Sequence, residues 1–183
     1  MDTRTHIMDT AEMLMKRAGY SGFSYADIAR EVQIRKASIH HHFPTKSDLA
    51  QAAVARYTRR LAEHLQKLDI DELGLEGAFK ALQRIFLGAL YGPGGACLCG
   101  SLAADWDALP DDLQKEVRTY WDQAIAWVSS VIAHHKPQWT QEACDERALE
   151  IFSLYEGALI SARVMGNPKP VEHVALLAHK LLE

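Results

Sequence analysis

Three consecutive histidines, His40, His41 and His42, are the side chains whose type most readily suggests chemistry, because imidazole binds metals and carries protons. Lys36 and Ser38 lie just before them in the chain. Consecutive side chains on a helix diverge by about 100°, so three neighbours cannot converge on one metal ion. We therefore predict no metal site and no bound cofactor here. The segment is better interpreted as a polar surface that contacts a larger partner.

Hydrophobic spacing gives that surface a direction. Ile39 and Phe43 lie four residues apart and share the inward face of a short helix. The remaining faces carry small or polar residues, namely Lys36, Ala37, Ser38, His40, His41 and His42. A helix that enters the major groove of duplex DNA needs small residues for close approach and polar ones for base edges. The pattern predicts a recognition helix, with Lys36 and His41 at base edges.

The neighbouring elements must hold this helix in place. A first helix is predicted to end at Gly19, and Ser24 is placed to cap a second one. Residues 33–35 form the turn into the recognition helix, which Pro44 ends. Lys46 then opens another helix, where its ammonium and the free backbone N–H groups suit a phosphate. This order is that of a helix-turn-helix.

The segment from Ile7 to Leu49 resembles the DNA-binding domain of the TetR family of transcriptional regulators. The matching residues are Gly19, Tyr20, Gly22, Ser24, Asp27, Ile28, Ala29, Lys36, Ser38, His42, Phe43, Pro44, Lys46, Asp48 and Leu49. The family usually has Gly in place of Gln33, Ser or Thr near Arg35, and Tyr near His40.

The resemblance implies a set of DNA contacts. Its members are Tyr25, Lys36, Ser38, His40, His41 and Lys46, and Ser24 and Ala37 of the same segment complete the predicted DNA-binding surface. Within that set, Tyr25, His40 and Lys46 are assigned to phosphates, which position a protein on the duplex without reading its sequence.

Composition and charge agree with an all-α protein that presents one end to a polyanion. The chain has 183 residues, of which 48% are hydrophobic, and a net charge of −4. Residues 1–67 hold 11 Lys and Arg against 7 Asp and Glu, whereas residues 68–183 hold 9 against 17. We predict a DNA-binding domain over 1–50, a connecting fourth helix over about 46–67, and a ligand-binding and dimerisation domain over 68–183.

No apolar run is long enough for a membrane span, and the chain opens with no secretory signal. We therefore expect a cytoplasmic protein without a membrane partner. No arrangement typical of a catalytic triad, a paired-carboxylate site or a metal site is present in the sequence, so we predict that the protein is not an enzyme.

The second domain is predicted to be a helical bundle with helices over 75–91, 97–108, 110–135, 141–165 and 171–182. Aromatic residues in it are candidates for lining an effector cavity: Phe86, Tyr91, Trp106, Tyr120, Trp121, Trp127 and Tyr155. Small and apolar residues of the last two helices predict a homodimer interface: Leu154, Gly157, Ala158, Ser161, Val174, Ala178 and Leu181. TetR regulators dimerise through their last two helices, so the resemblance implies the same.

Cys97 is a further candidate, because it stands at the start of a predicted helix, where the helix dipole favours a thiolate. The pattern Gly95, Cys97, Leu98, Gly100, Leu102 and Ala103 resembles a subset of TetR regulators in which a cysteine senses electrophiles. Cys97 could equally be a buried small hydrophobe, as we expect for Cys99 and Cys144.

The sequence is compatible with three functions. The leading one is a homodimeric repressor that a small apolar or aromatic effector releases from palindromic double-stranded operator DNA. The alternative is a regulator in which the effector reacts with the Cys97 thiol. The remote alternative is a small-molecule carrier or enzyme that regulates no gene.

Overall fold

The computed structural model describes residues 2–183, and these form nine α-helices, one short 3₁₀ helix and no β-strand. The α-helices are α1 (Thr3–Ala18), α2 (Tyr25–Val32), α3 (Lys36–His42), α4 (Lys46–Leu65), α5 (Ile70–Tyr91), α6 (Leu98–Ala103), α7 (Asp111–His135), α8 (Gln141–Met165) and α9 (Lys169–Lys180). The 3₁₀ helix, Trp106–Ala108, lies between α6 and α7. The predicted all-helical class is confirmed.

The helices form two compact units. The first extends to Arg59 and includes Leu98–Tyr120, and the second comprises Arg60–Cys97 and Trp121–Glu183. The sequence prediction divides the chain once, near residue 50. In the structure the N-terminal unit also contains α6, the 3₁₀ helix and the start of α7, which come later in the chain. The predicted division into DNA-binding and ligand-binding functions stays a prediction.

The N-terminal unit is built on α1. Ile7, Ala11 and Met15 of this helix are fully buried and form one helical stripe. Helix α2 packs against α1 and α3, and α6 packs against the other part of α1. The helix-turn-helix therefore has a buried apolar support, as the hydrophobic spacing predicts.

The C-terminal unit is built mainly from α5, α8 and α9, which contact one another pairwise. Phe79, Phe152 and Tyr155 are fully buried in it. The Tyr155 hydroxyl donates a hydrogen bond to the Phe79 carbonyl at 2.7 Å, so its one polar atom is satisfied inside the core. The side-chain amide of Gln83 donates to the Val171 carbonyl at 2.9 Å and ties α5 to α9.

Two helices differ clearly from the prediction, and α4, α7 and α9 differ from it by one or two residues at their ends. Helix α5 begins at Ile70 instead of 75, because the Asp69 carboxylate caps it by accepting hydrogen bonds from the N–H groups of Asp71 and Glu72 at 3.0 and 3.1 Å. Gly74, with φ of 62°, bends this helix. The helix predicted over 97–108 breaks after Ala103 and resumes as the 3₁₀ helix. None of the helices within residues 2–183 has the length and apolarity needed to cross a membrane.

Candidate nucleic-acid interface

Helix α2 is fixed at its first turn by a reciprocal cap. The Ser24 backbone N–H and hydroxyl both donate to the Asp27 carboxylate, at 2.9 and 2.7 Å. These hydrogen bonds from Ser24, with a further one from Arg30, lower the pKa of Asp27. Ser24 is exposed, so it stays on the surface predicted to face DNA while it holds the helix start.

Helix α3 presents the predicted outward face. Ile39 and Phe43 are 0% and 2% exposed, whereas the residues that the sequence assigns to DNA on this helix are all exposed: Lys36, Ala37, Ser38, His40 and His41. The side-chain direction calculated from the helical repeat is therefore confirmed. The contacts of these residues with DNA stay a prediction.

Tyr25 does not fit its predicted role. It is buried, and its hydroxyl lies 2.8 Å from the Phe43 carbonyl oxygen and 2.5 Å from that of Thr45. Burial and, to a smaller extent, the charge of Asp48 raise the pKa of Tyr25 to about 12. A hydroxyl held between two main-chain carbonyls has no donor left for a phosphate. We correct the prediction: Tyr25 positions the segment that joins α3 to α4.

One ring nitrogen of His40 is engaged in a hydrogen bond within the protein. Its Nδ1 lies 3.1 Å from the Pro44 carbonyl oxygen, and its ring packs edge-on against Tyr25 at 4.8 Å between centroids. If Nδ1 donates this hydrogen bond, a neutral imidazole leaves Nε2 as an acceptor only. Only the doubly protonated ring can hold Pro44 and donate to a phosphate at the same time.

Lys46 lies half-buried at the first residue of α4. Its Nζ is 4.5 Å from the ring centroids of both Tyr20 and Phe23, within cation–π range. Burial lowers the pKa of Lys46, and the negative charges of Asp105 and Asp27 oppose that shift. The ammonium is therefore held against the loop between α1 and α2.

Two further basic residues extend this surface. The Arg4 guanidinium lies 4.8 Å from the centroid of the Phe43 ring, at the end of α3. Arg35 is exposed and immediately precedes α3. The sequence signal for Arg35 was its position next to Lys36 in the turn. Across residues 2–183, no cluster of three or more His, Cys, Asp or Glu side chains could hold a metal ion.

The predicted dimer residues of α8 border a groove between α8 and α9. The groove has a volume of about 770 Å³ and is lined by Glu150, Ser153, Leu154, Gly157, Ala158, Ser161, Pro170, His173, Val174, Leu177 and Leu181. Ala178 is 0% exposed and does not line the groove, so we correct its assignment: it packs inside the subunit. Val174 is also buried, at 1% exposure, but it lies at the groove. Exposed apolar residues that the prediction missed are Ile160, Val164, Met165, Leu176 and Leu177.

The predicted effector-binding aromatics do not form one site. In the C-terminal unit Phe86 packs against Tyr155 and Phe152, at 5.2 and 5.9 Å between centroids, and Trp121 packs against Phe152 at 5.1 Å. These rings fill space with one another, as core residues do.

The other members of the predicted set lie elsewhere. Tyr91 is 71% exposed, and in the N-terminal unit Trp106 lies beside Arg118 while Tyr120 packs on Tyr57. Trp127 lines a cleft of about 290 Å³ between α4 and α7.

Cys97 immediately precedes α6 and is buried, at 3% exposure. Its thiol donates a hydrogen bond to the carboxyl group of Glu156, which is also buried. Burial raises the pKa of Glu156 to about 7, against the smaller lowering effect of the Cys97 hydrogen bond. Within residues 2–183, Oε1 of Glu156 finds no hydrogen-bond partner.

Comparisons with known proteins agree with this arrangement. Residues 7–53 match the family described as "Bacterial regulatory proteins, tetR family". The chain is 25% identical to the HTH-type transcriptional repressor NemR of Escherichia coli (strain K12) over 187 residues, which cover 97% of this chain and 92% of NemR.

Solved structures share the whole architecture. A TetR transcriptional regulator from Legionella pneumophila has a TM-score of 0.91 and 29% identity, and the match covers 100% of this chain and 98% of that one. The reduced form of E. coli NemR has a TM-score of 0.78 and 22% identity, with 97% and 95% covered, which shows a common fold. The similarity therefore extends well beyond the helix-turn-helix.

Proposed function

Because the chain belongs to the TetR family of DNA-binding transcriptional regulators, we propose that it is a homodimeric repressor that a small effector releases from a palindromic operator. Family membership makes it a regulator and not an enzyme. The observation that carries the proposal is the outward face of α3, where exposed Lys36, Ser38 and His41 stand opposite buried Ile39. Such a face meets base edges from the major groove.

Phosphate contacts are assigned to groups around that face. Lys46 supplies an ammonium beside the N-terminus of α4, and Arg4 and Arg35 are placed on either end of α3. His40 contributes when both ring nitrogens carry protons. These contacts supply affinity that depends on salt, whereas Lys36 and His41 supply sequence preference.

The proposal requires two copies, because one seven-residue helix reads too few base pairs for a specific operator. The apolar groove between α8 and α9, with exposed Leu154 and Leu177 beside Gly157, is the surface that we assign to the partner copy. Small residues such as Gly157 and Ser161 permit close helix approach. A two-fold axis through this face would present two α3 helices to a palindrome.

We assign the effector to the cleft that Trp127 lines. Its walls are Leu61, Ala62, Leu65, Gln66, Gln123, Ala126 and Trp127, which are apolar apart from two uncharged amides. Such a lining favours a neutral aromatic compound that can exchange hydrogen bonds with an amide. The compound releases DNA only if it binds the DNA-free arrangement more tightly than the DNA-bound one.

A gel-shift titration tests the DNA-binding assignment. The probe is a duplex from the DNA that flanks the protein's own gene, compared with a scrambled duplex at 150 mM NaCl. We expect the double variant Lys36→Ala, His41→Ala to lose at least about tenfold in affinity, because each base contact contributes about 1–3 kcal/mol. Lys80→Ala, an exposed lysine of α5, is the matched control. Equal wild-type affinity for both duplexes would contradict the proposal.

A thermal-shift screen of neutral aromatic amides, aldehydes and quinones tests the effector site. A compound that raises the melting temperature of the wild type should lose that effect in Trp127→Ala. Trp139→Ala is the control, because Trp139 lines a different cavity, at the start of α8. A shift that survives Trp127→Ala places the effector elsewhere.

The second candidate function is a regulator gated by Cys97. It is favoured by the position of this thiol directly before α6, and by the description of a structure similar to this one as a reduced form. Burial of Cys97 next to the Glu156 carboxyl opposes it, because reactive cysteines lie in exposed electropositive surroundings. Unchanged release of DNA by quinones in Cys97→Ser would exclude this function.

A further inference from the structure

A single loop, Gly19–Phe23, is contacted by two groups of opposite charge. On one side the Asp105 carboxylate accepts a hydrogen bond from the Ser21 backbone N–H at 3.2 Å, across 84 residues of sequence. On the other, the Lys46 ammonium lies over the Tyr20 and Phe23 rings at 4.5 Å. The loop joins α1 to α2 and therefore sets the position of the helix-turn-helix.

The loop is shaped to admit the carboxylate. Gly19 has φ of +71°, and a Cβ atom built on it would lie 2.3 Å from Oδ2 of Asp105. Only glycine combines that backbone conformation with that close approach. The segment that carries Asp105 is itself attached to α1, because the Ser101 hydroxyl donates to the Lys16 carbonyl at 3.3 Å. Asp105 is therefore held at this point by contacts on both sides.

The charge of Asp105 acts on Lys46. Both groups lie against the same short loop, and the negative charge of Asp105 favours the protonated form of Lys46 more strongly than that of Asp27 does. A lysine that is attracted to a nearby carboxylate in the free protein must give up part of that attraction when it meets a phosphate. The same ammonium is the one that the proposed function assigns to DNA.

We propose that Asp105 is an intramolecular counter-ion that competes with DNA phosphate for Lys46 and thereby sets DNA affinity from outside the helix-turn-helix. The inference rests on the proposed phosphate contact of Lys46. Asp105 touches no DNA in this scheme; it is a positioning residue that acts through Lys46 and the loop. Because Asp105 lies two residues after the end of α6, a displacement of α6 away from α1 would move this negative charge away from Lys46.

Asp105→Asn separates charge from shape. Its amide oxygen can still accept the Ser21 N–H, but the negative charge is gone. Asp107→Asn is the matched control, since it removes the same charge two residues along, from an exposed side chain. Melting temperatures of both variants within a few degrees of the wild-type value establish that the variants fold.

Fluorescence anisotropy should be measured against NaCl concentration for the wild type, Asp105→Asn, Asp107→Asn, Lys46→Gln and the double variant Lys46→Gln, Asp105→Asn. The probes are the labelled flanking duplex and a scrambled duplex. We expect Asp105→Asn to bind about three- to tenfold tighter at 100 mM NaCl. The slope of log affinity against log salt should steepen by up to about 0.9, the value for one phosphate. Asp107→Asn should match the wild type.

The double variant decides the mechanism. If Asp105 acts through Lys46, then Lys46→Gln abolishes the gain, and the double variant binds as Lys46→Gln alone does. A gain that persists without Lys46, or that Asp107→Asn reproduces, reflects net charge and overturns the inference, as does Asp105→Asn binding no tighter than the wild type. Failure of the proposed function is a separate result: the wild type would bind flanking and scrambled duplexes equally.

Discussion

Tyr25 illustrates how a side chain near DNA can serve the interface without touching it. Its hydroxyl lies between the carbonyl oxygens of Phe43 and Thr45, where the chain leaves α3 and enters α4. Both carbonyls would lose a hydrogen-bond partner in a buried place if the hydroxyl turned to solvent. The orientation of α3 relative to Lys46 therefore depends on a phenol group.

Tyr25→Phe should lower the free energy of unfolding by about 1–2 kcal/mol, because it deletes a buried hydrogen bond and leaves its acceptors unpaired. Urea unfolding followed by circular dichroism measures the change. Tyr91→Phe, at a position that is 71% exposed, should leave stability unchanged. If Tyr25→Phe left the free energy of unfolding unchanged, the Tyr25 hydroxyl would again be a candidate phosphate contact.

Glu156 makes stability depend on pH. In the unfolded chain its carboxyl releases the proton near its ordinary pKa of 4.5, whereas burial holds the proton to about 7 in the folded protein. Between these values the folded state binds more protons than the unfolded state, so the free energy of unfolding falls as pH rises. Above about pH 7, ionisation of the buried Glu156 carboxyl has lowered the free energy of unfolding by a value on the order of 3 kcal/mol.

Glu156→Gln should remove that dependence. The amide keeps the shape and can still accept from the Cys97 thiol, but it never acquires a charge. We expect the variant to equal the wild type near pH 4 and to be more stable at pH 8, measured by urea unfolding at both values. Glu146→Gln, on the exposed side of α8, is the control. A constant difference at both pH values would show that burial of the charge is not the cause.

Side-chain directions that depend on local helical geometry could be predicted from the sequence. Contacts between residues distant in the chain could not. The outward direction of Lys36 and His41 follows from the helical repeat alone, given that Ile39 must be buried. The hydrogen bonds of Tyr25 reach residues 18 and 20 positions away, and the sequence carries no signal for them. The same is true of the Cys97 hydrogen bond to Glu156, which only the packed unit brings together.

At the scale of the element, the turn of the helix-turn-helix contains a strained residue. Gln33 ends α2 in the left-handed conformation, with φ of 60° and ψ of 41°, and its N–H donates to the Ala29 carbonyl. It is the only non-glycine residue with positive φ among residues 2–183. A side chain in this conformation costs roughly 1–2 kcal/mol. The position is the one at which the family usually has glycine.

Gln33→Gly should raise the free energy of unfolding by about 0.5–1 kcal/mol, since relief of the strain exceeds the extra freedom that glycine gives the unfolded chain. Chemical denaturation is the measurement. Ala26→Gly, at an exposed position inside α2, should have the opposite sign by about 1 kcal/mol. Destabilisation by both would mean that the Gln33 side chain makes a contribution beyond its backbone conformation.

The break between α6 and the 3₁₀ helix could not be read from the sequence. Leu98, Leu102 and the alanines that follow fit a continuous helix, and Gly100 lies inside α6 and not at the break. The chain leaves the helix after Ala103, and Asp105, just beyond, accepts a hydrogen bond from the Ser21 N–H, which no local pattern indicates. Tertiary contact here overrides helix propensity.

At the scale of the whole molecule, the α8–α9 face is the surface that we propose for the pairing of two copies. The small residues of α8 were assigned correctly to its surface, since Gly157 and Ser161 line the groove. On α9, Val174 and Leu181 also line the groove, whereas Ala178 is turned inward because that helix packs against both α5 and α8. A helix that packs against two other helices buries a wider arc of its surface than a single apolar stripe in the sequence indicates.

Leu177→Glu should convert a dimer into monomers and weaken DNA binding with it. Leu177 is 50% exposed and lines the groove, so a carboxylate there would be buried unpaired against the partner. Analytical ultracentrifugation should show the dimer dissociation constant rise at least about tenfold, which is about 1.4 kcal/mol. Tyr91→Glu, at another exposed site, serves as control. A Leu177→Glu protein that stays dimeric would place the interface elsewhere.

The strip formed by Ile160, Val164, Met165 and Leu176 has a consequence for gene control. If pairing through it is incomplete in the cell, occupancy of a promoter varies with the square of the amount of protein made. Unpaired copies, which predominate when little protein is made, would expose hydrophobic surface to proteases and chaperones and would be cleared. The switch between silent and active transcription would then be set by synthesis rate as sharply as by any inducer.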